Sequence, residues 1–342
     1  MVHATVVKYG SAALDALEAA VAELKQADPM APVVVVVPSD VVGIAVRRRL
    51  ARGVGGRTGI AALTVTTLTR LADSLVAGRL QGRRPATPTI VAAAWRAALA
   101  SAPGRFEAVA GHAATVRALV RAHRELRDLS DVDLAAIAES GSLAADAARL
   151  YGDVCARLAA RYDEADVISL AIELLDTSDA LVAPTVLYLP QRWTNRETSL
   201  CAALVRHGEV DAIVARSGSD RADSAILNAL VVAGIETIGA GPEPALATTV
   251  FNASDSDDEV RWIARRVLKQ LETTPAHRIA VLYGSTSPYA RLLHEHFGAA
   301  GIAVNGPGVV AVRDRAVARG FLDLLGLPSS QFARSDLFAA LS

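Results

Sequence analysis

The chain has 342 residues, 52% of them hydrophobic and 4% aromatic, with a formal net charge of −1. That length predicts two or three domains rather than one simple core, and the apolar content excludes a disordered chain. The charge balance excludes a uniformly basic nucleic-acid coat but leaves room for a local groove, and so few aromatics exclude an extended base-stacking platform.

Arginine supplies nearly all the positive charge, since Lys8, Lys25 and Lys269 are the only lysines. Cys155 and Cys201 are the only cysteines. Two cysteines exclude a four-cysteine metal cluster and a disulfide framework, and fit a reducing compartment. Residues 1–10 lack the charged start and apolar run of a secretory leader. No stretch of about 18 apolar residues marks a membrane span. The expectation is a cytoplasmic protein with no membrane partner.

In chain order, residues 5–8 read as a short strand and 11–26 as an amphipathic helix. Five consecutive valines at 33–37, between Pro32 and Pro38, predict a strand covered on both faces, because the run shows no alternation. Ser39 or Asp40 can cap the helix over 42–50, which turns an arginine-rich face outward. Residues 53–59 form a flexible turn, 63–65 a strand, 67–76 a helix and 82–88 a connector. From there to 162 everything reads helical: 90–100, 112–128, 131–139 and 142–162. Sheet character returns at 185–189 and 212–214, with a helix over 196–207 between them. Strands at 248–252, 279–282 and 302–304 alternate with helices at 255–271 and 288–297. Helices over 313–325 and 335–341 follow. The order is that of an α/β sheet carrying a helical insertion, and open sheets of this kind place ligands at the carboxyl ends of their strands.

Several stretches taken in order resemble the motor of a superfamily 1 helicase of the UvrD/RecB kind. VVVVVPSDVVGIAVRRRL, LTVTTLTRLADSL and RYDEADVISLAIELL are similar to a second-motif strand and helix, a strand and threonine-bearing helix start that touches single-stranded DNA, and the segment leading back from the helical insertion. The stretch 257–325 is similar to the start of a second motor domain. The resemblance implies a P-loop NTPase-like (RecA-like) parallel sheet with a helical insertion domain, followed by a partial second RecA-like domain. Residues 1–84 and 165–246 would be the two halves of the first motor domain, 85–164 the insertion, and 247–342 the partial second domain.

The departures from that family bear on function. A phosphate cradle of the G-x-x-x-x-G-K-[ST] type needs backbone amides, a lysine and a magnesium-binding hydroxyl. Here the first strand runs into Lys8, Tyr9, Gly10 and Ser11, and the three lysines are followed by Tyr9, Gln26 and Gln270. Where the family ends a strand in Asp-Glu, this chain has Leu189-Pro190-Gln191. Gly284 stands where the family carries an arginine that reaches the nucleotide. Lys8, Gly10, Ser11, Gln191 and Gly284 thus mark a degenerate nucleotide site.

Fold kept with ATP chemistry lost resembles the inactivated helicase subunits of bacterial DNA-break resection machines, the AddB and RecC kind. The resemblance implies a DNA-binding scaffold of an end-processing exonuclease, with a PD-(D/E)xK nuclease domain in a continuation past Ser342. Implied partners are DNA, as a single strand or duplex end, and a helicase or nuclease subunit; no cofactor is implied for this chain. Ser39, Arg47, Thr66, Thr67 and Arg70 match the family's strand-contacting positions. Two alternatives stay open: a divergent ATP-dependent helicase, and an α/β docking module that never touches DNA.

Plainer roles stand beside these. Ser39 and Thr67 are good helix caps. Arg47, Arg48, Arg49 and Arg52 fit a solvated helix face. Arg117, Arg121, Arg124 and Arg127 recur at helical spacing among Glu125 and Asp128, which favours a salt-bridged surface. Glu23-Leu24-Lys25, the only Glu-x-Lys, reads as surface charge on a helix. His294 and His296 point apart on a helix, Trp193 reads as a partly buried core residue, and Ser217-Gly218-Ser219 as a turn.

Overall fold

The computed structural model describes residues 2–80, 82–177, 182–238, 249–306 and 315–341. The chain divides into two compact units, residues 1–246 and 247–342.

The first unit is built on a six-stranded parallel sheet. Its strands are β1 (Val2–Val7), β2 (Val33–Val36), β3 (Leu63–Thr66), β6 (Thr185–Tyr188), β7 (Val210–Ala215) and β8 (Ile235–Ile238), in spatial order β3-β2-β6-β7-β1-β8. The arrangement is an α/β fold compatible with nucleotide-binding sheets of the Rossmann or P-loop type. It differs from the 3-2-1-4-5-6 order in that β6 and β7 separate β2 from β1.

The valine run forms β2 because its β-branched side chains have a covered surface on each side. Val36, Leu187, Ala212 and Val214 face one core, with α3 (Leu68–Val76), α8 (Glu164–Thr177), α9 (Asn195–His207) and α10 (Asp220–Val232) packed over it. Val35, Val37, Val186, Tyr188 and Ile213 face the other core, under α1 (Ser11–Leu24) and α2 (Asp40–Leu50). All four residues of β6 are buried, as a strand between two helical layers must be.

Between β4 (Arg84–Pro85) and β5 (Arg161–Tyr162), which pair in parallel, run α4 (Pro88–Ser101), α5 (Ala113–Arg127), α6 (Asp131–Glu139) and α7 (Ser142–Arg157). These helices close on a core of their own around Trp95, Leu99, Leu119, Leu150 and Val154. The expected helix over 142–162 therefore stops at Arg157. Arg161 and Tyr162 leave it to pair with Arg84 and Pro85 in what read as a plain connector. The sequence reading passed over α8, α10 and β8.

An ionic network fastens α5 to the body. Arg127 Nε and Nη2 donate to the two carboxyl oxygens of Asp163 at 2.8 and 2.9 Å, and Nη2 also reaches Asp166 at 2.6 Å. The expected pairing of the α5 arginines with Glu125 and Asp128 is absent. Asp128 instead accepts the Asn195 and Arg196 backbone N–H groups at 2.8 and 3.0 Å, and Arg196 donates to the Arg127 carbonyl at 2.6 Å. Lys25 also departs from its reading as surface charge. It is buried and donates to the Ala31 and Ala61 carbonyls at 2.5 and 2.8 Å, with Pro29 at 3.5 Å, stapling the end of α1 to the segments that lead into β2 and β3.

In the second unit, α11 (Ser256–Leu271) and α12 (Tyr289–Ala299) share a core of Val260, Val267, Leu292, Leu293 and Phe297. α13 (Ala316–Gly326) and α14 (Arg334–Leu341) follow. The expected strands do not form: residues 279–282 and 302–304 make no ladder, nor do residues 249–252, and Thr248 lies outside the described residues. Ile279, Val281 and Tyr283 lean on the helical core while Leu282 is exposed. The alternation that signals a strand is present, but a strand also needs a hydrogen-bonded neighbour. The sheet expected for a second RecA-like domain is thus missing among the described residues.

Two outcomes follow. Lys25→Met should lower stability by roughly 2 kcal/mol, because buried carbonyls lose their donor; urea unfolding should show a lower midpoint at unchanged slope. For Asp163, burial pushes the carboxyl up, but the hydrogen bonds and charge of Arg127 outweigh it and hold the group below its ordinary range. A depressed carboxylate stabilises fully above its unfolded value, about 3.9, and that contribution is lost as pH falls through the folded one. Thermal unfolding below about pH 4 should therefore lose stability more steeply in the wild type than in Asp163→Asn.

Candidate functional site

The carboxyl edge of the sheet collects most of the candidate residues. Val36 and Thr66 are register partners in the β2–β3 ladder, so the connections leaving the two strands emerge side by side. Ser39 caps α2, its hydroxyl accepting the Val42 N–H at 3.4 Å. Thr67 caps α3 in the same way, accepting the Arg70 N–H at 3.5 Å. The Thr66 hydroxyl donates to the Thr67 carbonyl at 3.4 Å. Two capped helix N-termini, one at the exposed Ser39 and one at the half-buried Thr67, thus stand next to each other, a favourable setting for an anion.

The two arginines of this cluster are engaged within the protein. Arg47 donates to the Val65 carbonyl at 3.1 Å, and Arg70 pairs with Asp40 at 2.8 Å. Both guanidinium groups remain exposed, so each keeps donors turned to solvent. Among their neighbours, Arg49 bridges α2 to α1 through Asp15 and Glu18, both at 2.8 Å. Asp40 is the acidic member that sequence reasoning assigned only to capping.

The degenerate nucleotide positions are dispersed. Three residues, Lys8, Tyr9 and Gly10, join β1 to α1. Gly10 takes φ 102° as the cap residue of α1 and supplies no side-chain bond; the positive φ is one glycine adopts without strain. Lys8 and Ser11 are exposed. Gln191, also exposed, follows β6 after Leu189, whose φ of 50° is left-handed. A γ-branched residue in that region is strained. Gly284 lies in the second unit, exposed, with open space around its Cα.

Beside the β1–α1 connection lies a group the sequence reading missed. Asp223, in the first turn of α10, is buried and accepts the Ser217 N–H and hydroxyl and the Gly218 N–H at 2.8–3.0 Å. Burial raises its carboxyl, but these bonds and the charge of Arg216 outweigh that and keep it an anion. Its charge, after burial, contributes to raising the Tyr9 hydroxyl above its ordinary range. A buried carboxylate here opposes a polyphosphate at the end of β1. The signal that could have found it is an Asp four residues after a Ser-Gly-Ser turn, but that required placing α10 first.

The remaining candidates take ordinary roles. Ser217-Gly218-Ser219 forms the turn that Asp223 organises. Trp193 is partly buried against the sheet core. His296 bonds Asp257 at 2.7 Å and Glu295 pairs with Arg291 at 2.8 Å. No group of three or more metal-ligating side chains occurs among the described residues, and no helix there is long and apolar enough to cross a membrane. No protein-family model matches the chain, and no curated protein matches it.

Proposed function

We propose that the chain is a catalytically silent, helicase-like scaffold that holds DNA during end processing, with any nuclease acting from outside it. One observation carries the reading. A parallel sheet compatible with a P-loop-type motor delivers only a three-residue link, Lys8–Gly10, at the end of β1, too short for the phosphate cradle. The left-handed Leu189 and the buried Asp223 anion, both on the same edge, support the loss of nucleotide chemistry. The adjoining N-termini of α2 and α3, with Ser39, Thr66, Thr67, Arg47 and Arg70 around them, would receive the phosphates of a strand. On this reading residues 85–164 are a helical insertion domain and 247–342 part of a second motor domain.

A second reading, a docking surface for a partner subunit, has its own support. Val317, Phe321, Leu325, Phe332 and Phe338 in and around α13 and α14 are exposed, and large apolar side chains gathered on neighbouring helices favour a protein contact site.

Fluorescence anisotropy with a labelled single-stranded oligonucleotide at about 50 mM salt should show binding that weakens as salt rises. Asp40→Asn should tighten it several-fold by releasing Arg70, and Arg70→Ala should weaken it and reduce the salt slope by about 1. Absence of binding at that salt, or heat on titration with ATP and magnesium, would refute the scaffold reading. For the docking surface, Phe321→Ser with Leu325→Ser should lower the binding of an apolar dye such as ANS while DNA affinity stays unchanged.

A further inference from the structure

The second unit carries an aromatic pair outside its core. Phe251 and Trp262 stack face to face, with ring centroids 4.4 Å apart and planes 4° from parallel. Neither ring is part of the described core that α11 and α12 share. Trp262 is half-buried, while Phe251 is 41% exposed. In a parallel stack the tryptophan covers one face of the phenyl ring, so the exposed part of Phe251 is its other face and its edge.

The same side of α11 carries charge of one sign. A helix with 3.6 residues per turn places Arg265, Arg266 and Lys269 within about 60° of Trp262 around its axis and roughly 4 to 11 Å along it. That side is opposite Val260, Ala264 and Val267, which face the core. All three cations are exposed, and their side chains make no ion pair or hydrogen bond among the described residues. The carboxylates of α11 lie in its first turn, and each is engaged. Asp257 holds Arg261 and His296, Asp258 accepts from Ser254, and Glu259 accepts the Tyr289 hydroxyl. From Trp262 to Lys269 the stripe is therefore positive, bounded by acids at the start of the helix and by Glu272 at its C-cap.

We propose that this stripe is a contact for single-stranded DNA, with a base stacked on the open face of Phe251 and the adjoining phosphates running along Arg265, Arg266 and Lys269. Stacking accepts any base, because every base has a π-face, and phosphate contacts carry no sequence information. A duplex would satisfy the cations but keeps its bases stacked inside, so the ring selects an unpaired strand. One ring pair is a local platform, in keeping with the low aromatic content of the chain. The choice of DNA as partner rests on the functional reading above, whereas the surface lies in a different unit from Ser39 and Arg70 and needs neither.

The test is fluorescence anisotropy of the full chain with a labelled dT strand of about 12 nucleotides, with an abasic strand of the same length and a duplex as comparison probes. The dT strand should bind more tightly than either. Phe251→Ala should weaken dT binding about tenfold and leave the abasic strand unaffected. Phe251→Leu, which keeps an apolar contact but has no ring, should show the same loss. Arg266→Ala with Lys269→Ala should weaken both strands and reduce the salt slope by about 0.7 for each cation removed. A strand carrying 5-iodouracil should cross-link on irradiation to the peptide that holds Phe251, and should do so in Arg70→Ala as well. Thermal unfolding of each variant is recorded beside its affinity. A lower midpoint with unchanged dT affinity would mean that the stack only fastens residues 249–252 to α11, and would overturn the proposal. So would equal binding of dT and abasic strands, no cross-link at that peptide, or polyglutamate competing as well as dT. If Arg70→Ala weakens binding and the Phe251 and Arg266 variants do not, this surface falls and the strand-end reading stands. The reverse pattern removes the strand ends and keeps this surface.

Discussion

The parallel ladder that joins β2 to β3 on one side and β6 on the other sets the geometry of the carboxyl edge. In a parallel sheet every strand ends at the same edge, and register decides which residue arrives there level with which. Val36 stands opposite Thr66 and Leu187. The caps Ser39 and Thr67 and the strained turn at Leu189 are consequently neighbours, although more than a hundred residues separate the last from either of the others. A slip of one residue would exchange the two core faces of β2. Both faces are filled by different helices, so the register is strongly specified.

Carboxylates decide what the arginines do. Asp40 holds Arg70, Asp15 and Glu18 hold Arg49, and Asp163 with Asp166 holds Arg127. These pairs differ in kind. The Arg70–Asp40 pair is exposed and weak, a contact a stronger anion can replace. The Arg127 pairs are mostly buried, and removing one partner strands a charge away from water. A near-neutral chain therefore carries one cluster of cations that is exchangeable and another that is architectural. Arg117, Arg121 and Arg124 belong to neither, being exposed on α5 and making no ion pair among the described residues.

Where the sequence spoke clearly, a single local rule was enough. Five valines between prolines, and Ser or Thr ahead of an amphipathic run, led to β2, α2 and α3 with both capping roles in place. What escaped was non-local. β5 is two residues that become a strand only because Arg84 and Pro85 are beside them. Conversely, residues 279–282 alternate as a strand should and find no ladder. Lys25 reads as helix surface until the carbonyls of Ala31 and Ala61 close around it. Asp223 on the buried edge of the site, and His123 in the core of the α4–α7 layer, could not be read from spacing, because their burial depends on α10 and on the packing of α4, α5 and α7.

The short β4–β5 pairing has a mechanical meaning. The chain enters and leaves the α4–α7 layer through two adjacent two-residue strands, so both covalent crossings to the body lie side by side. The Arg127 and Arg196 contacts lie away from those crossings along the chain and hold the end of α5 to α8 and α9. The helical layer is thus tied to the body twice, by the paired strands and by the Arg127 and Arg196 contacts, and the two ties are separable by mutation.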